Sequence, residues 1–140
     1  MGFDRFAIRG VKIYFYGQTT RPISVKKIYH LSTCSTCQRI LKETGIDGFE
    51  VIDVKERIID AKDLDHAKSI VGSYEGLFNK RAIKYRQQGL NKRSLSDSDF
   101  RGLILEEYTF MKRPLYFIGE KVFAGNAKKT VEAIKQELGE

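Results

Sequence analysis

The spacing of apolar and polar side chains becomes regular from residue 27 onward and predicts a strand, a helix and a second strand. Residues 27–31 form a short run of mainly apolar and aromatic side chains, which is typical of a buried strand. Apolar side chains then recur at helical spacing over residues 35–44, and Gly45 supplies a stop. Residues 49–54 alternate apolar and acidic side chains, as a half-buried strand does. Such a unit folds as a right-handed crossover between parallel strands.

Two helical segments are predicted after the second strand. Asp60 or Asp63 caps the first of them, which places Val71 on its buried face and ends at Gly72. Residues 74–88 then predict one or two short helices before the next glycine. The middle of the chain is therefore predicted to be a helical insertion.

Two longer helices are predicted in the second half of the chain. Ser96 and Asp99 have the spacing of a capping box, and the helix that they open carries apolar side chains as far as Tyr108 on one face. The last helix is predicted over residues 127–138, with Ala127 as the first residue of its buried face.

Between these helices, two β-rich runs predict a hairpin. Residues 115–118 and 121–124 are separated by two residues of which the first is Gly119, the pattern of a type II′ turn. The full order is then β-α-β, a helical insertion between strands 2 and 3, and β-β-α. This order predicts a thioredoxin- or glutaredoxin-like α/β fold with a four-stranded mixed sheet in the order 2-1-3-4.

The first 25 residues do not fit this pattern. Residues 11–16 could form a strand, but no partner follows them. We therefore expect residues 1–25 to be a flexible N-terminal extension and residues 26–140 to form a single domain, since 140 residues is an ordinary domain size.

The net charge of +7 is concentrated near the N-terminus. Residues 1–27 contain six basic side chains and one acidic one, whereas the remaining residues contain 19 and 17. Because a nucleic-acid-binding domain carries its basic stripe on the folded part, direct binding to DNA or RNA is not expected. No apolar run is long enough for a membrane span or a secretion signal, so a cytoplasmic location is expected.

The chemistry is predicted at the only two cysteines, Cys34 and Cys37. A C-x-x-C pair that follows a strand and opens a helix is a strong redox signal. A helix N-terminus favours negative charge and lowers the pKa of a thiol, so Cys34 is predicted to be the nucleophile. Cys37, one turn later, is placed to resolve a mixed disulfide with it.

Two other roles for the cysteines stay open. Structural zinc needs about four ligands, and only His30 and His66 are available besides the cysteines, without metal-type spacing. No metal or other bound cofactor is therefore expected. The pair could also be two inert buried thiols, which are common in protein cores.

Two further segments stand out by their chemistry. Residues 79–93 carry six basic side chains and no acidic one, so they could hold an oxyanion, a glutathione carboxylate or an acidic protein surface. The second segment is Lys112-Arg113-Pro114, directly before a strand. A cis peptide bond at Pro114 would fit a tight turn there and would bring Arg113 close to Cys34.

Taken together, these segments resemble the arsenate-reductase-like family, the ArsC/Spx/YffB group, over residues 26–138. The segments that carry the resemblance are Ser32-Thr33-Cys34-Ser35-Thr36-Cys37-Gln38-Arg39, Leu77-Phe78-Asn79-Lys80-Arg81, Lys112-Arg113-Pro114-Leu115 and Phe123-Ala124-Gly125.

The resemblance also indicates a branch of the family. Glutathione-dependent arsenate reductases bind arsenate with a cysteine and three arginines, of which only Cys34 and Arg113 match here. The second arginine is displaced to Arg81 and the third is replaced by Gly125, while the presence of Cys37 is a further departure. These differences place the chain nearer the Spx and YffB members.

The resemblance implies a thiol-disulfide redox protein as the first choice of function. Cys34, Cys37 and Arg113 would be catalytic, and the anion-binding residues would be Arg81, Asn79, Lys80 and Pro114. The substrate would be a small thiol, disulfide or oxyanion, with glutathione, another thiol, or a glutaredoxin- or thioredoxin-type protein as the reductant. The alternatives are an Spx-like redox-sensing regulator that binds the RNA polymerase α subunit and, third, a glutathione-dependent arsenate reductase.

Overall fold

The structure, a computed structural model, describes residues 25–139 and contains a four-stranded mixed sheet in the order β2-β1-β3-β4. The strands are β1 (Lys26–His30), β2 (Glu50–Asp53), β3 (Leu115–Ile118) and β4 (Lys121–Ala124). The helices are α1 (Ser35–Thr44), α2 (Ala61–Val71), α3 (Ile83–Gln87), α4 (Asp97–Glu106) and α5 (Lys128–Glu137). The predicted fold class and strand order are confirmed.

Strand pairing places β1 and β3 in the middle of the sheet. β1 pairs in parallel with β2, from Lys27 opposite Glu50 to His30 opposite Asp53, and antiparallel with β3. All four residues of β3 are buried, as expected for a central strand. β4 completes the predicted hairpin, with Gly119 at φ 61° in the two-residue turn.

The two faces of the sheet pack against different helices. Successive strand residues point to opposite faces, so Ile28 packs with α1 and α5, whereas Tyr29 packs with the helical insertion. The core against α1 and α5 includes Ile40, Tyr116 and Ile134. The core against the insertion is larger and contains several fully buried aromatic and aliphatic side chains, among them Phe78, Phe110, Phe117, Leu64 and Ile104.

Several details of the insertion differ from the prediction. Residues 74–88 form a 3₁₀ turn (Glu75–Leu77) and the short helix α3, separated by extended chain at Phe78, which pairs with Met111. The predicted capping box of Ser96 and Asp99 is confirmed, but α4 ends at Glu106, so Tyr108 lies in a following 3₁₀ turn (Tyr108–Phe110).

Two predicted core positions are wrong. Val71 is 38% exposed at the end of α2. Ala127 is exposed and precedes the first residue of α5 rather than packing beneath the helix. Both lie in the terminal turn or cap of a helix, where the apolar stripe no longer faces the sheet.

The predictions for residues 1–25 fall outside the described residues, apart from Val25, whose carbonyl accepts a hydrogen bond from the Gly119 N–H at 2.7 Å. Within residues 25–139, no helix is both long and apolar enough to cross a membrane.

Candidate active site

Cys34 lies at the junction between β1 and α1. The chain leaves β1 at His30, turns with a hydrogen bond from the Cys34 N–H to the Leu31 carbonyl (3.0 Å), and enters the helix at Ser35. Cys34 is the N-cap residue, with extended backbone angles and a half-buried side chain. Its sulfur therefore lies where the first N–H groups of α1 have no partner within the helix.

The surroundings of Cys34 favour the thiolate. Partial burial raises the pKa of the Cys34 thiol, but this effect is outweighed by hydrogen bonds from the Cys37 backbone and thiol, by the charge of Arg113, and by the Thr36 N–H. The net result is a pKa below the ordinary value. A lowered pKa of this kind is typical of a reactive cysteine.

Cys37 is in the opposite situation. Its side chain has no exposed surface, and burial raises the pKa of the Cys37 thiol to about 11. The nearby Cys34 sulfur also raises this pKa, while the Leu31 backbone and Arg113 lower it. Both cysteines are free thiols. The pair thus combines an accessible, readily ionised thiol with a buried, protonated one.

A polar network that the sequence analysis did not identify supports the turn before Cys34. The Asp53 carboxylate accepts hydrogen bonds from the Ser32 hydroxyl (2.5 Å) and the Ser32 N–H (3.3 Å). The Gln38 amide donates to the Ser32 carbonyl (3.4 Å) and to His30 Nδ1 (3.3 Å). The network joins β1, β2 and α1 around the turn. The parallel register of β1 and β2 brings Asp53 opposite His30. Only a prediction of this register could have indicated from the sequence that Asp53 lies beside the turn.

His30 is a structural residue in this network. It is 9% exposed, and burial lowers the pKa of its imidazole, although Asp53 opposes the shift. Across residues 25–139, His, Cys, Asp and Glu do not gather in a group of three or more that could hold a metal ion.

Cys34 opens into a cleft of about 810 Å³. The cleft lies between the Cys34 turn, the segment after α2, the segment before β3 and the segment between β4 and α5. Its lining residues include several that the sequence analysis considered for binding or catalysis: Cys34, Asn79, Lys80, Arg81, Arg113 and Gly125. The structure therefore brings together segments that are up to 91 positions apart in the chain.

Arg113 reaches the cleft from the loop before β3. Its guanidinium Nη1 donates to the carbonyls of Thr109 (3.4 Å) and Met111 (3.5 Å). Its Nε is buried and makes no hydrogen bond with any described residue. The Arg113–Pro114 peptide bond is cis, as predicted.

Asn79 fixes the opposite wall of the cleft against the Arg113 loop. Its backbone N–H donates to the Phe110 carbonyl (2.7 Å), and its side-chain amide donates to the Thr109 carbonyl (3.2 Å). Its side-chain oxygen accepts from the Arg81 N–H (3.1 Å). Asn79 is thus a structural link between two walls of the cleft.

The remaining predicted residues occupy different environments. Lys80 pairs with Glu75, and Arg81 is exposed at the cleft. Pro114 is buried and does not line the cleft; its carbonyl accepts a hydrogen bond from the Gly125 N–H (3.0 Å). Lys112, Asn126 and Ala127 line the cleft but were not predicted as site residues.

The chain is similar to known proteins at the level of family and fold. A model of the ArsC family matches residues 29–134. No curated protein sequence matches the chain significantly.

Solved structures share the fold. An arsenate reductase from Vibrio cholerae has a TM-score of 0.67 at 20% identity, over 79% of this chain and 97% of that one. A protein named YFFB has a TM-score of 0.66 at 20% identity, over 79% and 98%. An arsenate reductase (ArsC) related protein from Brucella melitensis has a TM-score of 0.59 at 27% identity, over 78% and 92%.

Proposed function

Because the chain belongs to the ArsC family, we propose that it is a thiol-disulfide oxidoreductase in which Cys34 is the nucleophile and Cys37 the resolving thiol. The observation that carries this proposal is the contrast between the two cysteines at the start of α1. Cys34 faces the cleft with a lowered pKa, whereas Cys37 is buried with a raised one. This contrast assigns a different step to each thiol.

In the first step, the Cys34 thiolate attacks one sulfur of a disulfide substrate. The S–S bond of the substrate breaks, a mixed disulfide with Cys34 forms, and the other half of the substrate leaves as a thiolate that takes up a proton. Arg113 is positioned to assist this exchange, since its charge acts on the Cys34 sulfur before attack. The same charge favours the sulfur atoms that carry negative charge as the bond is exchanged.

In the second step, the Cys37 sulfur attacks the Cys34 sulfur of the mixed disulfide. Cys37 loses its proton as its sulfur attacks, since the thiolate is the nucleophile, and the departing substrate thiolate takes up a proton. The Cys34 charge, which helps to raise the pKa of Cys37 in the free dithiol, is absent from the mixed disulfide, and this favours ionisation of Cys37 at this step. The products are two molecules of substrate thiol and a Cys34–Cys37 disulfide. An external thiol, such as glutathione or a glutaredoxin- or thioredoxin-type protein, restores the dithiol by exchange in the reverse sense.

The test is mass spectrometry of the reduced protein after reaction with a small disulfide. The wild-type protein should lose two hydrogens without forming a dimer, and Cys37→Ser should stop at a mixed disulfide on Cys34. Cys34→Ser serves as the matched control and should form neither product. A stable mixed disulfide in the wild-type protein, or equal modification of the two single variants, would contradict the assignment.

The same cleft argues against reduction of arsenate as the principal activity. Recognition of a doubly charged oxyanion uses planar, charge-assisted hydrogen bonds from several arginines. Here Arg113 and the exposed Arg81 line the cleft, and Gly125 adds no side chain. Each missing charged contact costs about 1.5–3 kcal/mol. We expect negligible arsenate-dependent NADPH oxidation with glutathione and glutaredoxin, and turnover of about 1 per second or faster would restore the reductase assignment.

A further inference from the structure

The charges around the cleft are unbalanced. The ionisable side chains that line it, apart from Cys34, are Glu75, Lys80, Arg81, Lys112 and Arg113. Glu75, the one acid among them, pairs with Lys80 on the same wall. The Arg113 charge acts on the Cys34 sulfur, and its guanidinium donates hydrogen bonds to two backbone carbonyls.

Arg81 and Lys112, the other two cations of the cleft, are both exposed. Neither side chain forms an ion pair with any of residues 25–139. The cleft therefore keeps a net positive charge after the Cys34 thiolate and Glu75 are set against Arg113 and Lys80. Because these two cations lie in the same cleft as the Cys34 sulfur, their charge acts on the part of the substrate next to the sulfur that Cys34 attacks.

Both cations are anchored through their backbones. The Lys112 N–H donates to the Leu77 carbonyl (2.8 Å), next to the bridge between Phe78 and Met111, and the Arg81 N–H donates to the Asn79 side-chain oxygen (3.1 Å). The stem of the Lys112 side chain passes close to Gly125, since a Cβ built at Gly125 would lie 3.9 Å from Lys112 Cδ. Lys112 therefore lies on the cleft wall between Leu77 and Gly125, one residue before Arg113.

We propose that Lys112, assisted by Arg81, is a specificity-determining residue that selects disulfides carrying a carboxylate close to the reacting sulfur. This inference rests on the proposed function, because it concerns the substrate that Cys34 attacks. The carboxylate is held by Lys112 at the cleft wall while Arg113 remains free to act on the sulfur. The exchange is the one described above, in which the two substrate sulfurs are reduced and Cys34 and Cys37 are oxidised.

The experiment compares three small disulfides that differ in charge: dithiodipropionate (two negative charges), hydroxyethyl disulfide (neutral) and cystamine (two positive charges). The rate of the first exchange with reduced protein is divided by the rate of the same disulfide with mercaptoethanol, because leaving-thiol acidity also changes the rate. The normalised rate should be about fivefold to twentyfold higher for dithiodipropionate than for cystamine, and the ratio should fall as salt is added.

The decisive variants change the charge of Lys112. Lys112→Met should lower the dithiodipropionate-to-cystamine ratio about threefold or more, Lys112→Glu should lower it further, and Lys112→Arg should retain it. Lys62→Met is the matched control, because Lys62 is an exposed lysine of α2 outside the cleft and its loss changes the net charge equally.

The outcomes separate the two proposals. A normalised ratio near 1 in the wild-type protein, or an equal fall in Lys112→Met and Lys62→Met, would overturn the role of Lys112 and leave the exchange chemistry intact. If none of the three disulfides modifies Cys34, the proposed function itself fails and the specificity fails with it.

Discussion

The unequal ionisation of the two thiols predicts a large difference in their reactivity. The wild-type protein would be treated with a limiting amount of iodoacetamide, so that both thiols compete within one molecule. Trypsin cleavage after Lys27 and Arg39 releases residues 28–39, which contain both cysteines. Fragment ions that separate Ser35 from Thr36 then show which cysteine carries the label.

The size of the difference follows from the pKa values. The pKa of Cys34 lies below its ordinary value and that of Cys37 is about 11. At pH 7.5, an ordinary cysteine with a pKa of about 8.5 is about 9% thiolate and a thiol with a pKa of 11 about 0.03%, a ratio of about 300. The more basic thiolate is intrinsically the better nucleophile, by about thirteenfold for this difference. Cys34 should therefore be alkylated at least about tenfold faster from ionisation alone, and the full burial of Cys37 increases the factor.

The dependence on pH provides a second, independent measurement. The rate at Cys34 should reach half of its maximum at a lower pH than for an ordinary cysteine, whereas the rate at Cys37 should still rise with pH at that point, because its thiol ionises only near pH 11. Equal labelling of the two cysteines at pH 7.5, with a common midpoint near that of free cysteine, would refute the assignment of separate roles.

Three further predictions concern residues around the pair. Arg113→Met should raise the pKa of Cys34, so the midpoint of its alkylation profile should move to higher pH; an unchanged midpoint would remove Arg113 from the site. Asn79→Ala should lower the free energy of unfolding by about 1–2 kcal/mol and slow disulfide exchange, measured by denaturant unfolding and by the exchange rate. Asp63→Asn should lower the free energy of unfolding by about 2–4 kcal/mol, because the buried Asp63 carboxylate accepts hydrogen bonds from Tyr29 (2.6 Å) and Lys27 (2.8 Å). A loss below about 1 kcal/mol in denaturant unfolding would contradict a structural role for these two hydrogen bonds.

The order of elements could be predicted from the sequence because its signals are local. The capping box at Ser96, the stop at Gly45 and the two-residue turn at Gly119 each depend on residues only a few positions apart. The pairs β1–β2 and β3–β4 then follow from the preference for a parallel crossover and a hairpin. The pairing of β1 with β3 was predicted only because the order of elements is that of a thioredoxin-like fold.

The contacts that complete the site are not local, and this is where the sequence was insufficient. Asp63 is of a residue type that often caps helices, but Asp60 occupies the N-cap position of α2. Asp63 is instead buried, and its carboxylate accepts a hydrogen bond from Tyr29. Likewise, Asp53 looked like the polar face of an edge strand, whereas it holds the turn before Cys34 through Ser32. Such roles depend on which side chains meet across strands, and periodicity along the chain does not specify this.

The bridge between Phe78 and Met111 couples the two walls of the cleft. The reactive cysteine pair belongs to a short stretch near the beginning of the domain, whereas much of the wall that meets a substrate belongs to the insertion and to the loop after it. The bridge holds the insertion and this loop in register, and Arg113 follows Met111 by two positions. A displacement of the Phe78 segment would therefore move the wall that contacts a substrate together with the cation that acts on the Cys34 sulfur.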